Sequence, residues 1–166
     1  MNNVILIGMP GAGKSTIGVI LAKVLGYQYI DTDLLIQEQE KCLLRDIISK
    51  EGLDGFLEIE GRVNSDINTE NAVISTGGSV IYSQKAMEHL RNIGTVVYIK
   101  LSYMTIEGRL GNIKKRGVVL REGQNLESLY NERCPLYEKY AHIVIDGEGL
   151  GPEDLMEQIA NSYMNI

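Results

Sequence analysis

The chain has 166 residues, of which 44% are hydrophobic and 23% are charged, and its net charge is −6. This length suits one compact domain, and the acidic balance argues against a nucleic-acid partner, which usually needs a basic face. The first apolar run covers only residues 4–7, against the ~20 that cross a bilayer, so we expect neither a signal peptide nor an anchor. Cys42 and Cys134 are too few for a disulfide framework, and free thiols suit a reducing cytoplasm. We therefore expect residues 1–166 to form a single cytoplasmic domain, a monomer without nucleic-acid or membrane partners.

The pattern of apolar residues predicts β-strands that alternate with α-helices. The run at residues 4–7 is typical of a strand buried on both faces, and a helix over 14–25, closed by Gly26, follows it. In chain order, the other predicted elements are a strand at 27–30, helices at 33–40, 43–50 and 55–70, a strand at 72–75, a helix at 84–92, a strand at 95–101, a helix at 103–110, a loop at 111–124, a helix at 126–140, a strand at 142–145 and a helix at 152–163. This alternation predicts an α/β fold with a parallel sheet covered on both faces, whose ligand binds at the carboxyl ends of the strands.

A phosphate-binding loop is predicted between the first strand and the first helix. Residues 8–15 read GMPGAGKS, which fits G-x-x-x-x-G-K-[ST] in the strand-to-helix context that this motif needs. Glycines let successive N–H groups turn inward, where they and the helix N-terminus hold phosphate. Lys14 adds a positive charge for the β- and γ-phosphates, and Ser15 offers a hydroxyl to Mg²⁺. The residues expected to bind ATP here are Gly11, Ala12, Gly13, Lys14, Ser15 and Thr16.

Acidic residues and glycines follow the second and third predicted strands. Asp31 is placed to hold Mg²⁺ directly or through water, and Asp33 to orient an acceptor hydroxyl or accept its proton. The alternative for Asp33 is that it caps the following helix. Gly77 and Gly78 permit a close approach of backbone N–H groups to a ligand, although a plain turn is the alternative.

The loop at 111–124 carries a local excess of positive charge in an acidic protein. A lid that closes over ATP and brings an arginine to the transferring phosphoryl group would explain it, whereas ordinary surface cations are the alternative. On the following helix, Arg133 is a second candidate binding residue, and an ion pair with a neighbouring glutamate is its alternative. The basic residues in and around the loop are Arg109, Lys114, Lys115, Arg116 and Arg121.

In order and spacing, the motifs GMPGAGKSTIG, DTD, STGG, the basic lid and ERCPLYEKYA resemble the shikimate kinase family. The resemblance implies a three-layer P-loop kinase fold with a five-stranded parallel sheet in the order 2-3-1-4-5. It also implies ATP-dependent phosphorylation of a hydroxyl on a small carboxylated ring. It places Lys14 and Ser15 at ATP and Mg²⁺, Asp31 near Mg²⁺, and Arg109 beside adenine. It also makes Arg116 the lid arginine. The residues that it assigns to the acceptor are Asp33, Gly77, Gly78 and Arg133.

Three departures from the family pattern concern the acceptor and the lid. Leu57 stands where Phe-Arg-x-x-Glu has a second carboxylate-binding arginine, which a leucine cannot replace without loss. Ser79 replaces a third glycine, and Arg116 is not followed by the usual proline. We expect a shikimate kinase-like enzyme, with a same-fold kinase of another hydroxylated metabolite as the alternative. A nucleotide-binding switch is a weaker alternative, because the chain has no Asn-Lys-x-Asp motif to read the base.

Overall fold

The computed structural model describes residues 2–111, 118 and 120–166, and in these ranges five parallel strands form one sheet with helices around it. The strand order β2-β3-β1-β4-β5 confirms the expected fold class and order. The elements are β1 (Asn3–Ile7), α1 (Lys14–Leu25), β2 (Gln28–Asp31), α2 (Thr32–Glu40), α3 (Leu44–Ser65), β3 (Ala72–Ser75), a short 3₁₀ helix (Val80–Tyr82), α4 (Gln84–Ile93), β4 (Gly94–Lys100), α5 (Tyr103–Leu110), α6 (Leu126–Tyr140), β5 (Ile143–Asp146) and α7 (Pro152–Met164).

Strand β1 lies at the centre of the sheet and is buried along its whole length. Ile5 is in register with Ile74 of β3 on one side and Val96 of β4 on the other. At the start of the strand, the buried Asn3 side chain donates to the carbonyl oxygens of Thr69 and Ile93, each at 2.8 Å. Because all strands run in parallel, the segments that follow β1, β2 and β3 meet at one edge of the sheet.

Helix α3 differs most from its prediction. The sequence predicted helices at 43–50 and 55–70, and the structure joins them into one element with a kink at Gly52, whose φ is +72°. The helix ends at Ser65. Ile67 continues the apolar spacing but lies beyond the helix, where it packs into the core around the sheet. The 3₁₀ helix Val80–Tyr82 was not predicted, since three residues are too few to show a period.

Buried apolar side chains of the described residues form two cores. The larger surrounds the sheet, and the smaller lies between α2 and α3, where it is built from Ile36, Ile47, Phe56 and Val63. The smaller core fixes the face of α3 from which Glu60 reaches the edge of the sheet. Within the described ranges, no helix has both the length and the apolar character of a membrane span. Cys42 and Cys134 are free thiols, as expected.

Candidate active site

A cavity of about 520 Å³ opens where the segments after β1 and β3 meet the starts of α1 and α2. Helices α3 and α6 complete its walls, so distant parts of the chain contribute to it. The residues that line it are Pro10, Gly11, Gly13, Lys14, Ser15, Thr16, Asp33, Leu44, Phe56, Glu60, Thr76, Gly77, Gly78, Ser79, Val118 and Arg133.

Lys14 begins α1 and is only 8% exposed. Its Nζ donates to the carbonyl oxygens of Gly8 and Met9, each at 2.8 Å. Burial lowers the pKa of Lys14 from 10.5 to about 8, against the opposing attraction of Asp33. Gly13 precedes the helix at a φ of +94°, which side chains disfavour, and it provides no side-chain cap. The first N–H groups of α1 and the nearby ammonium therefore form a site suited to an anion.

Asp31 ends β2 and uses its two carboxylate oxygens differently. Oδ1 accepts from the backbone N–H groups of Asp33 at 3.0 Å and Leu34 at 3.3 Å, so Asp31 caps α2. The alternative in which Asp33 is the cap is therefore wrong. Oδ2 accepts from the Ser15 hydroxyl at 3.1 Å and from the Tyr29 hydroxyl at 3.4 Å. The Ser15 and Asp31 oxygens are of the kind that Mg²⁺ binds, and they lie side by side.

Asp33 and Glu60 converge on the space over Gly77. A Cβ added to Gly77 would lie 2.6 Å from Glu60 Oε2 and 2.8 Å from Asp33 Oδ1, so a larger residue does not fit without displacing them. Burial raises the pKa of Asp33, and the charge of Asp31 adds to this effect. Burial also raises the pKa of Glu60 to about 7, although the Ser79 hydroxyl, which donates to Glu60 Oε1 at 2.5 Å, lowers it. Carboxyl groups of this kind can orient a bound hydroxyl and take up its proton.

Arg133 reaches the cavity from α6 and is 2% exposed. A Cβ on Gly78 would lie 3.0 Å from its Nη1. The guanidinium carbon lies 5.4 Å from the ring centroid of Tyr82, and Nε donates to the Tyr82 hydroxyl at 3.4 Å. Burial opposes the charge of Arg133, but contacts with Tyr137 and Tyr82 outweigh burial and raise its pKa.

The alternative for Arg133 was an ion pair with a neighbouring glutamate. None of the ion pairs between described residues includes Arg133, so this alternative is not supported. A buried cation without an acidic partner is costly unless an anion compensates it. Arg133 is therefore suited to bind an anionic group of a ligand.

The other arginines predicted for the site differ in position. Arg109 is exposed near the end of α5, where its Nη1 donates to the Gly11 carbonyl at 3.2 Å, beside the phosphate loop but outside the cavity lining. Arg116 lies outside the described residues, as do the other predicted lid residues in 112–117 and residue 119. Val118, from the described part of that loop, lines the cavity.

Leu57 does not line the large cavity. It packs against the smaller core and lines a separate cavity of about 10 Å³ that also touches Arg133. The residues around this small cavity are Leu53, Leu57, Tyr82, Arg121, Gln124, Leu129 and Arg133. Arg133 therefore lies between the two cavities, with Leu57 on the side of the smaller one.

Four residues of the site have no role predicted from the sequence. Glu60 had a usable signal, because it occupies the last position of the Phe-Arg-x-x-Glu pattern. Ser79 was noted only as a departure, and its hydrogen bond to a residue 19 positions earlier has no signature in the sequence. Tyr82 and Tyr137, which support Arg133, resemble ordinary core aromatics until the fold brings them to it.

The chain is similar to known proteins in sequence and in structure. The family model described as shikimate kinase matches residues 10–164. The chain is 34% identical to the shikimate kinase of Thermodesulfovibrio yellowstonii, over 100% of this chain and 97% of the relative. It is 40% identical to that of Clostridium botulinum strain Okra, over 87% of each chain. The structure of a shikimate kinase from Acinetobacter baumannii in complex with shikimate superimposes with a TM-score of 0.91 at 31% identity, covering 99% of this chain and 94% of the other.

Proposed function

The chain belongs to the shikimate kinase family, and we propose that it transfers the γ-phosphoryl group of ATP to a hydroxyl of shikimate within the cavity described above. The observation that carries the proposal is that one cavity combines a phosphate loop, two carboxyl groups and a buried arginine that has no ion-pair partner among the described residues. The phosphate loop can bind a phosphoryl donor, the carboxyl groups can bind a hydroxyl, and the arginine can bind a carboxylate. Similarity to shikimate kinases over the whole chain favours shikimate over the alternative of a different hydroxylated metabolite.

The phosphate loop is proposed to hold the donor. The N–H groups of Gly11 to Thr16 at the start of α1 bind the triphosphate, and Lys14 neutralises charge on its β- and γ-phosphates. Lys14 now donates to two carbonyl oxygens of the loop, so it lies beside the site where phosphate binds. Bound phosphate favours the charged form of Lys14 and thereby offsets the cost of burying it.

Asp33 is proposed to orient the acceptor. The hydroxyl donates to a carboxylate oxygen of Asp33, which lines the cavity next to Gly77. In the transfer, a bond forms between the acceptor oxygen and the γ-phosphorus, the bond from that phosphorus to the leaving oxygen of ADP breaks, and the hydroxyl proton passes to Asp33. The raised pKa of Asp33 makes its carboxylate a better base for this proton. No covalent phospho-enzyme is required.

Arg133 is proposed to bind the carboxylate of shikimate. Its buried guanidinium presents N–H groups in the planar arrangement that matches a carboxylate. Tyr82 and Tyr137 hold the arginine in place, so few side-chain rotamers are lost when the anion binds. The distance between Arg133 and Asp33 across the cavity then selects which hydroxyl faces the phosphate loop.

Ser15 and Asp31 are proposed to hold Mg²⁺. Their oxygens lie 3.1 Å apart, and Mg²⁺ commonly takes only one or two protein carboxylates together with substrate phosphates. The ion supplies charge neutralisation at the phosphates when bound. Asp31 is rigidly placed for this role, because its other oxygen caps α2.

Further assignments remain proposals. We propose that Arg116 neutralises charge on the transferring group from the lid and that Arg109 lies beside adenine, which its position at the outer edge of the phosphate loop supports. A monomeric state and a cytoplasmic location are also proposed, the latter supported by two free thiols.

A coupled assay of ADP release tests the function. The wild-type protein should turn over ATP with shikimate at millimolar concentration, and Lys14→Met should abolish turnover while leaving the circular dichroism spectrum unchanged. Asp33→Asn should lower kcat by about 10²-fold or more, with nucleotide affinity nearly unchanged. Turnover of a sugar or an amino-alcohol in place of shikimate would contradict the substrate. Substantial activity in Lys14→Met would contradict the assignment of the donor site.

A further inference from the structure

The large cavity contains few cations for an anionic acceptor. Among its described lining residues, Asp33 and Glu60 carry carboxyl groups, and Lys14 and Arg133 are the cations. Lys14 lies within the phosphate loop and is assigned to the donor. An acceptor carboxylate therefore meets Arg133 close to two acidic side chains, and a second cation on the Leu57 side of Arg133 would bind it more tightly.

Arg121 lies on that side. It lines the small cavity together with Leu57 and Arg133, so all three surround one space. Its Nη2 lies 3.4 Å from Asp54 Oδ1, and Asp54 precedes Leu57 on α3 by about one helical turn. The side chains of Arg121 and Asp54 are 56% and 87% exposed, so water screens their ion pair. Such a pair is weak, and a bound carboxylate can compete for the guanidinium.

The backbone of Arg121 is tied to the residues that support Arg133. Its N–H donates to Gln124 Oε1 at 3.1 Å, and Gln124 Nε2 donates to Glu132 Oε2 at 3.0 Å. The same glutamate oxygen accepts from the Tyr82 hydroxyl at 2.8 Å, and that hydroxyl accepts from Arg133 Nε at 3.4 Å. This chain of hydrogen bonds holds the backbone of Arg121 in a defined position relative to Arg133.

We propose that Arg121 is the second carboxylate-binding cation of the acceptor site and substitutes for the arginine missing at Leu57. The inference rests on the proposed function, because it assumes a carboxylated acceptor. The two oxygens of a carboxylate offer about four lone-pair sites, enough for Arg133 and Arg121 to bind from different directions. Arg121 binds substrate and selects for its negative charge, and it takes no part in phosphoryl transfer.

Arg121→Gln tests the inference, with Arg62→Gln as the matched control. Arg62 is also an exposed arginine, 58% accessible, that pairs with a carboxylate, that of Glu40. KM and kcat are measured for shikimate and for its uncharged methyl ester at saturating ATP, and thermal unfolding checks the fold of each variant. Arg121→Gln should raise KM for shikimate by about tenfold, the lower end for a lost hydrogen bond to a charged group, because Arg121 is partly exposed. Its kcat should stay within about threefold of wild type.

The methyl ester distinguishes recognition of charge from a general disturbance of the site. Its KM should be the same in wild type, Arg121→Gln and Arg62→Gln. Adding Leu57→Arg to Arg121→Gln should restore the low KM for shikimate, because residue 57 lines the same small cavity as Arg121 and Arg133.

Three outcomes would overturn the inference. If wild type phosphorylates shikimate while Arg121→Gln and Arg62→Gln give the same KM, Arg121 has no role and the proposed function stands. Equal losses for shikimate and the methyl ester would show that Arg121 acts on structure and does not recognise charge. If wild type phosphorylates neither shikimate nor any other hydroxy acid, the proposed function and the inference both fail.

Discussion

Replacing Glu60 by glutamine removes a buried charge while keeping the shape of the side chain. Glu60 is 2% exposed, and burial is the main reason that its pKa is about 7 instead of 4.5. The hydrogen bond from Ser79 and the charges of Arg133 and Lys14 lower this pKa but offset only part of the effect of burial. Glutamine stays neutral at every pH and still accepts from the Ser79 hydroxyl through its carbonyl oxygen.

The raised pKa fixes the sign and the size of the expected effect. Between pH 4.5 and 7, the folded protein holds a proton on Glu60 that the unfolded chain releases, so the wild type loses stability as the pH rises through this window. A pKa difference of one corresponds to about 1.4 kcal/mol. The free energy of unfolding of the wild type therefore falls by about 3 kcal/mol across the whole window. Glu60→Gln should match wild type near pH 4.5 and exceed its free energy of unfolding by about 3 kcal/mol at pH 8.

Urea unfolding at several values between pH 4.5 and 8, followed by circular dichroism, measures this difference. Glu58→Gln is the control, because Glu58 lies on the same helix with an exposed side chain and carries the same charge. It should leave the pH dependence of stability unchanged. The reasoning is refuted if Glu60→Gln keeps the wild-type pH dependence, or if it is equally destabilised at pH 5 and pH 8.

Two further predictions concern the donor and the acceptor. Because burial lowers the pKa of Lys14 to about 8 and bound phosphate favours its charged form, ATP binding at pH 8.5 should take up part of a proton. Titration calorimetry in buffers of different ionisation enthalpy measures this uptake, and a binding enthalpy independent of the buffer would contradict it. Gly77→Ala should raise KM for the acceptor and lower kcat, each by about tenfold or more, because its Cβ displaces Asp33 and Glu60. Nucleotide affinity, measured by the same titration, should be retained, and its loss would show that the whole site had collapsed.

Much of the fold could be predicted from the sequence, because the signals for it are local. The continuous apolar run in β1, the glycine that closes α1 and the alternation of elements each depend on neighbouring residues. The failures have local causes as well. Ile67 continues the helical spacing of α3, but its burial is satisfied by the core around the sheet, and periodicity does not distinguish these two environments.

The donor side of the candidate site could also be predicted from the sequence, because residues 8–16 are contiguous and their spacing matches the phosphate-loop motif. The acceptor side was not, because its residues come from α2, α3, α6 and the segment after β3. Only the fold decides that Asp31 caps α2 and leaves Asp33 facing the cavity. Burial, reinforced by the charge of Asp33, raises the pKa of Glu60, and both effects depend on which elements the fold packs around it.

Position 57 shows most clearly which features can be predicted from the sequence and which depend on the fold. The strand-to-helix phosphate loop, the order of the elements and the absence of an arginine at position 57 can all be read from the amino-acid order. Only the tertiary structure placed Arg121, 64 residues further along the chain, around the same small cavity as Leu57 and Arg133. A carboxylate responds to cations within a few ångströms, and which cations lie that close depends on the fold, which brings residues of α3, of α6 and of the segment before α6 around one cavity.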